Sequence, residues 1–252
     1  PFDYAANAKI DVRIWAEAAN ALLVNPERGV RRAAERIATV SRVFDDRNVS
    51  SYRTLLVALR LHQWLKNLLV FVPLLLAHQL GNAVLVAQAL LAFIAFGLCA
   101  SSVYLLNDLL DLADDRQHPS KRDRPFAAGS LSIANGALLI PCLLAGAFAL
   151  AAMLPVEFAA VLAFYYVSTL AYSFRLKRSA LVDVLTLAGL YTIRIIAGAA
   201  AISVALSFWL LAFSMFLFLS MALVKRFTEL MTMQELELET PFGRGYNTTD
   251  IE

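Results

Sequence analysis

Residues 68–107 read LLVFVPLLLAHQLGNAVLVAQALLAFIAFGLCASSVYLLN, forty positions without one Asp, Glu, Lys or Arg. A helix needs about 20 predominantly apolar residues to cross a bilayer. This stretch is long enough for most of two spans with a turn at Gly81. The pattern recurs. Residues 125–174 hold only Glu157, and residues 195–224 hold no charge. The whole chain is 60% hydrophobic and 17% charged, with mean hydropathy +0.63. Soluble domains carry about 25% charge and about 45–50% apolar residues. Disorder and an ordinary soluble enzyme are therefore excluded. A net charge of +2 is too small to suggest a nucleic-acid partner. Cys99 and Cys142 cannot build a disulfide framework, and their apolar surroundings predict small buried hydrophobes.

The fold expected is an all-α polytopic transmembrane helical bundle. Six spans are predicted, at 58–80, 84–107, 131–153, 156–174, 181–202 and 206–224, with Pro73 kinking the first. The runs are continuously apolar and not alternating, so helices and not barrel strands are indicated. Lys and Arg fall before span 1 and after spans 2, 4 and 6, whereas the turns around Gly81, Pro155 and Ser203 have none. The positive-inside rule then places the charged loops and both chain ends in the cytoplasm, in a multi-pass protein of the inner membrane.

Residues 1–50 read as a separate soluble α/β segment, and 51–252 as the membrane domain. Ile14, Ala18 and Leu22 fit one helix face. Val30, Ala34 and Ile37 fit a second helix that carries Arg31, Arg32 and Arg36. No secretory signal pattern is present. The run Phe2 to Asp11, followed by Trp15, Ala18 and Leu23-Val24-Asn25-Pro26, resembles the last strand and helix of a haloacid-dehalogenase-like phosphatase domain. Asp11 fits one acidic position of that family, while Asn7 stands at another. The nucleophile motif is missing, so the resemblance implies the tail of a fused domain without activity of its own. A cytoplasmic amphipathic leader is the alternative.

The chemistry-bearing constellation is Asn107-Asp108-Leu109-Leu110-Asp111-Leu112-Ala113-Asp114-Asp115. Asp108, Asp111 and Asp115 are spaced i, i+3, i+7, which on a helix puts three carboxylates on one face. Like charges at a membrane boundary repel and are costly to desolvate, so a cation is expected among them. Oxygen-only ligands point to Mg2+, which shares its shell with water and substrate phosphates. An acidic helix end paired with local cations is the alternative. The next segment holds Arg116, Lys121, Arg122 and Arg124 between Pro119 and Pro125. Such residues suit phosphate oxygens. His118 is either an acid/base group or a loop-fixing hydrogen bond.

Asn-Asp-x-x-Asp-x-x-x-Asp at a cytoplasmic helix end resembles the first aspartate-rich motif of the UbiA superfamily of intramembrane prenyltransferases. The resemblance runs from Arg53 to Glu252 and is nearest to the polyprenyl-phosphate phosphoribosyltransferase branch. The stretches that carry it are Arg60-Leu61-His62-Gln63-Trp64-Leu65-Lys66-Asn67, Asn107 through Gly129, and Tyr172-Ser173-Phe174-Arg175-Leu176-Lys177. Asp183 with Arg194 and Gly198, Lys225-Arg226-Phe227-Thr228-Glu229-Leu230, and Gly243-Arg244-Gly245-Tyr246 complete it. It implies Mg2+-bound diphosphate under Asp108, Asp111 and Asp115, with Asn107 assisting. Lys66, Arg122, Lys177 and Arg194 become phosphate contacts. Arg60, Asn67, Arg116, Lys121, Arg124, Tyr172, Asp183, Lys225, Arg226 and Glu229 complete the expected substrate-binding set. Asp183 is a partner of Arg194, a second magnesium site, or half of a purely structural pair. The superfamily has nine spans, so six imply a fragment cut at both ends.

Classical members have a second aspartate-rich motif after the sixth span, where this chain has Lys225, Arg226 and Glu229. That departure favours a more anionic substrate pair. Phosphoribose would pass from 5-phosphoribosyl diphosphate to a polyprenyl phosphate, with diphosphate leaving. The expected partners are a polyprenyl lipid, a phosphorylated co-substrate and the bilayer. Prenyl transfer to an aromatic acceptor is the alternative within the family. A transporter lined by Asp183 and Arg194, or a lipid-binding scaffold, are the alternatives outside it. Lipid chain length and oligomeric state are not encoded in any motif of the chain.

Overall fold

The computed structural model describes residues 2–27, 29–44, 52–117 and 121–235. The N-terminal segment runs β1 (Asp3–Ala6), α1 (Val12–Trp15), β2 (Asn20–Val24), α2 (Val30–Glu35) and β3 (Val40–Phe44). The three strands are all parallel in the order β1-β2-β3, with Asp3 opposite Asn20 and Val24 opposite Phe44. Ala21 and Leu23 of β2 are buried with Trp15, Val30 and Ala34. Leu22 therefore belongs to a strand and not to the helix expected through Ile14, Ala18 and Leu22. Period-2 burial along β2 wins over that short helical match. The face of Val30 and Ala34 is on a helix as expected, but Ile37 lies beyond its end and is exposed.

The apolar runs then fold as helices. In chain order these are α3 (Tyr52–Ala58), a 3-10 segment (Leu61–Phe71), α4 (Val72–Leu76) and α5 (Ala83–Leu110). There follow α6 (Leu112–Gln117), α7 (Ile133–Ala151), α8 (Val156–Phe174), α9 (Ala180–Ala201) and α10 (Phe208–Glu235). Five of them (α5, α7, α8, α9 and α10) are long and apolar enough to span a membrane. The first expected span is broken, with a 52° bend between α3 and the segment 61–76. Pro73 does not make that break. It sits in the first turn of α4, where its missing N–H costs no helical bond. The chain turns instead at Arg60, whose φ of 51° is left-handed. The last span also differs, because α10 continues past Val224 to Glu235. Lys225, Arg226 and Glu229 thus lie on a helix that projects from the apolar layer, not in a loop.

The 3-10 segment is held between α5 and α9. Trp64 Nε1 donates to Ser101 Oγ at 3.0 Å, and Ser101 Oγ donates to the Leu59 carbonyl at 2.8 Å. Two glycines make the room. A Cβ on Gly97 would meet the Trp64 ring, and one on Gly198 would overlap the Val70 carbonyl. Small residues let helices approach where lipid offers no hydrophobic drive to pack. Ala92, Ala95, Phe96 and Cys99 of α5 pack with Leu162 and Tyr165 of α8 and Ala197 of α9. Cys99 is buried as expected, but Cys142 is exposed, on the outer surface of α7. Overpacking at Gly198 is testable. Gly198→Val is expected to cost about 1–3 kcal/mol, read as a lower melting temperature in detergent, whereas Gly189→Ala, with open space around it, is expected to cost much less.

Candidate active site

Asp108 is in the last turn of α5, Asp111 follows the helix, and Asp115 is in α6. The i→i−4 bonds continue through the junction, Asp111 N to Asn107 O at 2.9 Å and Asp115 N to Asp111 O at 2.8 Å. Asp111 itself, however, has φ −90° and ψ 12°. That local unwinding turns α6 relative to α5. Asp108 and Asp115 come to the same place, both nearly inaccessible, while the Asp111 side chain stays 45% exposed. The single face of three carboxylates expected from spacing is thus divided into a buried pair and an open third member.

Cations fill the pair. Arg60 Nη2 donates to Asp108 Oδ1 at 2.5 Å. Arg124 Nη1 donates to the same oxygen at 3.2 Å and to Asp115 Oδ2 at 2.6 Å. Two buried carboxylates face two guanidinium groups, which offsets a desolvation cost of several kcal/mol per ion. The left-handed backbone at Arg60 begins the 3-10 segment that carries its side chain to α5. Arg124 is fixed by the buried Pro125 and Phe126 beside it. Lys177 Nζ lies 4.0 Å from Asp111 Oδ2, so the loop after α8 closes on the same end.

A second cluster joins three helices. Tyr172 OH donates to Asp183 Oδ1 at 2.7 Å. Arg226 donates to Asp183 through Nε, and through Nη2 at 3.0 Å, and to Glu229 through Nη1 at 2.5 Å. This corrects the expected Asp183–Arg194 pair. Eleven residues return to one helix face but lie about 16 Å apart along it, beyond side-chain contact. Arg194 instead meets Asn67 Oδ1 at 3.0 Å and Tyr165 OH at 3.2 Å. Lys66, the neighbour of Asn67, is half-buried and feels the charges of Lys225, Arg194 and Arg60.

Asn107 is half-buried and supplies its backbone carbonyl to the junction. Arg116, Arg122 and Lys225 are exposed, Lys121 is half-buried, and among the described residues none of the four is in an ion pair. His118 and Gly243 through Tyr246 lie outside the described residues. Sequence reasoning missed Tyr104, whose ring lies 5.4 Å from the Arg60 guanidinium, and Tyr165 on Arg194. A hydroxyl inside an apolar helix needs a partner, and that is the signal by which both were readable.

Magnesium takes oxygen ligands, with one or two carboxylates commonly completed by water and substrate phosphate. Asp108 and Asp115 converge on one guanidinium nitrogen, the position a cation takes between two carboxylates. This pair fits a hard cation. Asp111 does not join it, and among the described residues no group of three or more His, Cys, Asp or Glu side chains is gathered for a metal.

The UbiA prenyltransferase family matches residues 66–235. The uncharacterized protein y4nM of Sinorhizobium fredii is 41% identical over 97% of this chain and 48% of its own length. Decaprenyl-phosphate phosphoribosyltransferase of Mycobacterium tuberculosis is 40% identical over 69% of this chain and 59% of its own length. The chain thus spans about half to three-fifths of these relatives. A UbiA homolog from Archaeoglobus fulgidus bound to GPP and Mg2+ superposes with a TM-score of 0.60 at 20% identity, covering 73% of this chain and 66% of that one.

Proposed function

The chain belongs to the UbiA prenyltransferase family, and from that premise we propose a magnesium-dependent transfer of phosphoribose from 5-phosphoribosyl diphosphate to a polyprenyl phosphate. The observation that carries the choice of substrates is the state of Asp183. Arg226 and Tyr172 occupy both of its oxygens. One carboxylate pair remains, amid Arg60, Lys66, Arg124 and Lys177. That balance suits two phosphorylated substrates sharing one metal. The likeness to the mycobacterial phosphoribosyltransferase supports the same reading.

Asp108 and Asp115 would hold the magnesium. Bound there, it supplies positive charge for the diphosphate as it departs. Arg60 and Arg124 stand beside the pair and donate charge-assisted hydrogen bonds to phosphate oxygens. Lys177 adds a point charge from the opposite loop. An oxygen of the lipid phosphate forms the new bond to the anomeric carbon as the bond to diphosphate breaks. The protein positions and neutralises, and no covalent intermediate is required. The lipid tail leaves through the apolar wall of a multi-pass bundle. The basic loops place this end at the cytoplasmic face of the inner membrane. Residues 1–50 read as the tail of a fused haloacid-dehalogenase-like domain, a reading supported by the parallel order of β1, β2 and β3.

The test uses the full chain in liposomes. Magnesium, 5-phosphoribosyl diphosphate and a polyprenyl phosphate are expected to give lipid-linked phosphoribose, and a chelator is expected to abolish it. A prenyl diphosphate with an aromatic acid is the parallel assay. Product in that assay alone would overturn the phosphoribosyl assignment.

A further inference from the structure

Arg194 is buried near the middle of the long helix α9. Its partners are all neutral: Asn67 Oδ1, Tyr165 OH and the Leu190 carbonyl. The rings of Phe96, Tyr165 and Tyr191 surround it, with centroids 5.5, 5.2 and 5.3 Å from Cζ. Among the described residues no carboxylate pairs with it. A guanidinium has five N–H groups. Three are used here, so Nη1 and Nη2 each retain one. Beside it, Asn67 is 1% exposed and its Nδ2 has no hydrogen-bond partner. A buried charge without a counterion and a buried amide without an acceptor are each costly. One ligand remedies both, an anion that accepts from Nδ2 and from the guanidinium fork.

This place is separate from the carboxylate pair. Phe96, against Arg194, and Asp108 are twelve residues apart on α5, about 18 Å along the axis. It is also connected to the pair. Lys66 and Tyr104 each feel both Arg60 and Arg194, which puts them between the two places.

We propose that Arg194, Asn67 and Lys66 form a second anion site, distinct from the carboxylate pair, that takes a phosphate monoester. The proposal rests on the transfer reading above, in which diphosphate occupies the carboxylate end. Two monoesters then remain, the lipid phosphate and the 5-phosphate of the ribosyl donor, and both present the chemistry this site recognises.

Binding is measured without turnover, on the full chain in nanodiscs, with a polyprenyl phosphate and with ribose 5-phosphate as probes. Asn67→Asp keeps the oxygen that accepts from Arg194 and supplies the missing counterion. This variant is expected to melt at or above the wild-type temperature, yet to bind the monoester at least tenfold more weakly. Loss of the lipid probe alone assigns the site to the acceptor, and loss of ribose 5-phosphate alone assigns it to the donor. Arg194→Gln is expected to show the same loss. Wild-type affinity for both probes in either folded variant, or a lower melting temperature in Asn67→Asp, would overturn the proposal. The transfer reading is judged separately. If no transfer is seen with either substrate pair, lost monoester binding still establishes the site.

Discussion

Asp108→Asn is expected to lower transfer by about a hundred- to a thousandfold, the size of effect seen when one preorganised electrostatic partner is removed from an active site. Asp111→Asn is expected to lower it by about tenfold or less. Spacing makes the two carboxylates look equivalent, but the structure does not. Asp108 is buried and accepts from both Arg60 and Arg124. Without its charge two guanidinium groups share one remaining carboxylate, and the cation site has one ligand. Asp115→Asn belongs close to Asp108, because Arg124 bridges the pair. Asp111 is half-exposed, with only Lys177 near it at 4.0 Å. Initial rates across a magnesium titration measure the order. The magnesium requirement is expected to rise for Asp108→Asn and Asp115→Asn and to change little for Asp111→Asn. Equal losses at Asp108 and Asp111 would mean that the three carboxylates act together in the working enzyme.

The bundle was legible because a charge desert has one reading in a bilayer. Span positions, the clusters on one end and the acidic helix end all followed from where Asp, Glu, Lys and Arg are absent. What escaped depended on backbone angles and on contacts between distant residues. The break at Arg60 needs a left-handed residue that no propensity favours, whereas Pro73 advertised a kink that its first-turn position removes. The division of the acidic face depends on ψ at one residue, Asp111. Asp183 and Arg194 looked like partners because periodicity reports azimuth but not distance along the axis. Their true partners, Arg226 at 43 residues and Asn67 at 127 residues in sequence, come from other helices.

The Arg226–Asp183 contact gives the second large effect. Asp183→Leu is expected to destabilise the protein by about 3–5 kcal/mol, because it leaves a buried guanidinium without the carboxylate it holds through two donors. Tyr172→Phe removes one hydrogen bond to the same carboxylate and is expected to cost about 1 kcal/mol. A double variant, Asp183→Leu with Arg226→Met, separates a tie from a substrate contact. Replacing both members of a buried pair by apolar groups is often neutral or stabilising. Its melting temperature in detergent is therefore expected to return most of the way to wild type, with strong non-additivity in the cycle. If the cluster serves only to join α8, α9 and α10 behind the carboxylate pair, the double variant keeps transfer within about tenfold of wild type. A double variant that melts like wild type but transfers nothing would instead place Arg226 at the substrate. Its bond to Asp183 would then be a resting contact that the incoming phosphate exchanges for its own.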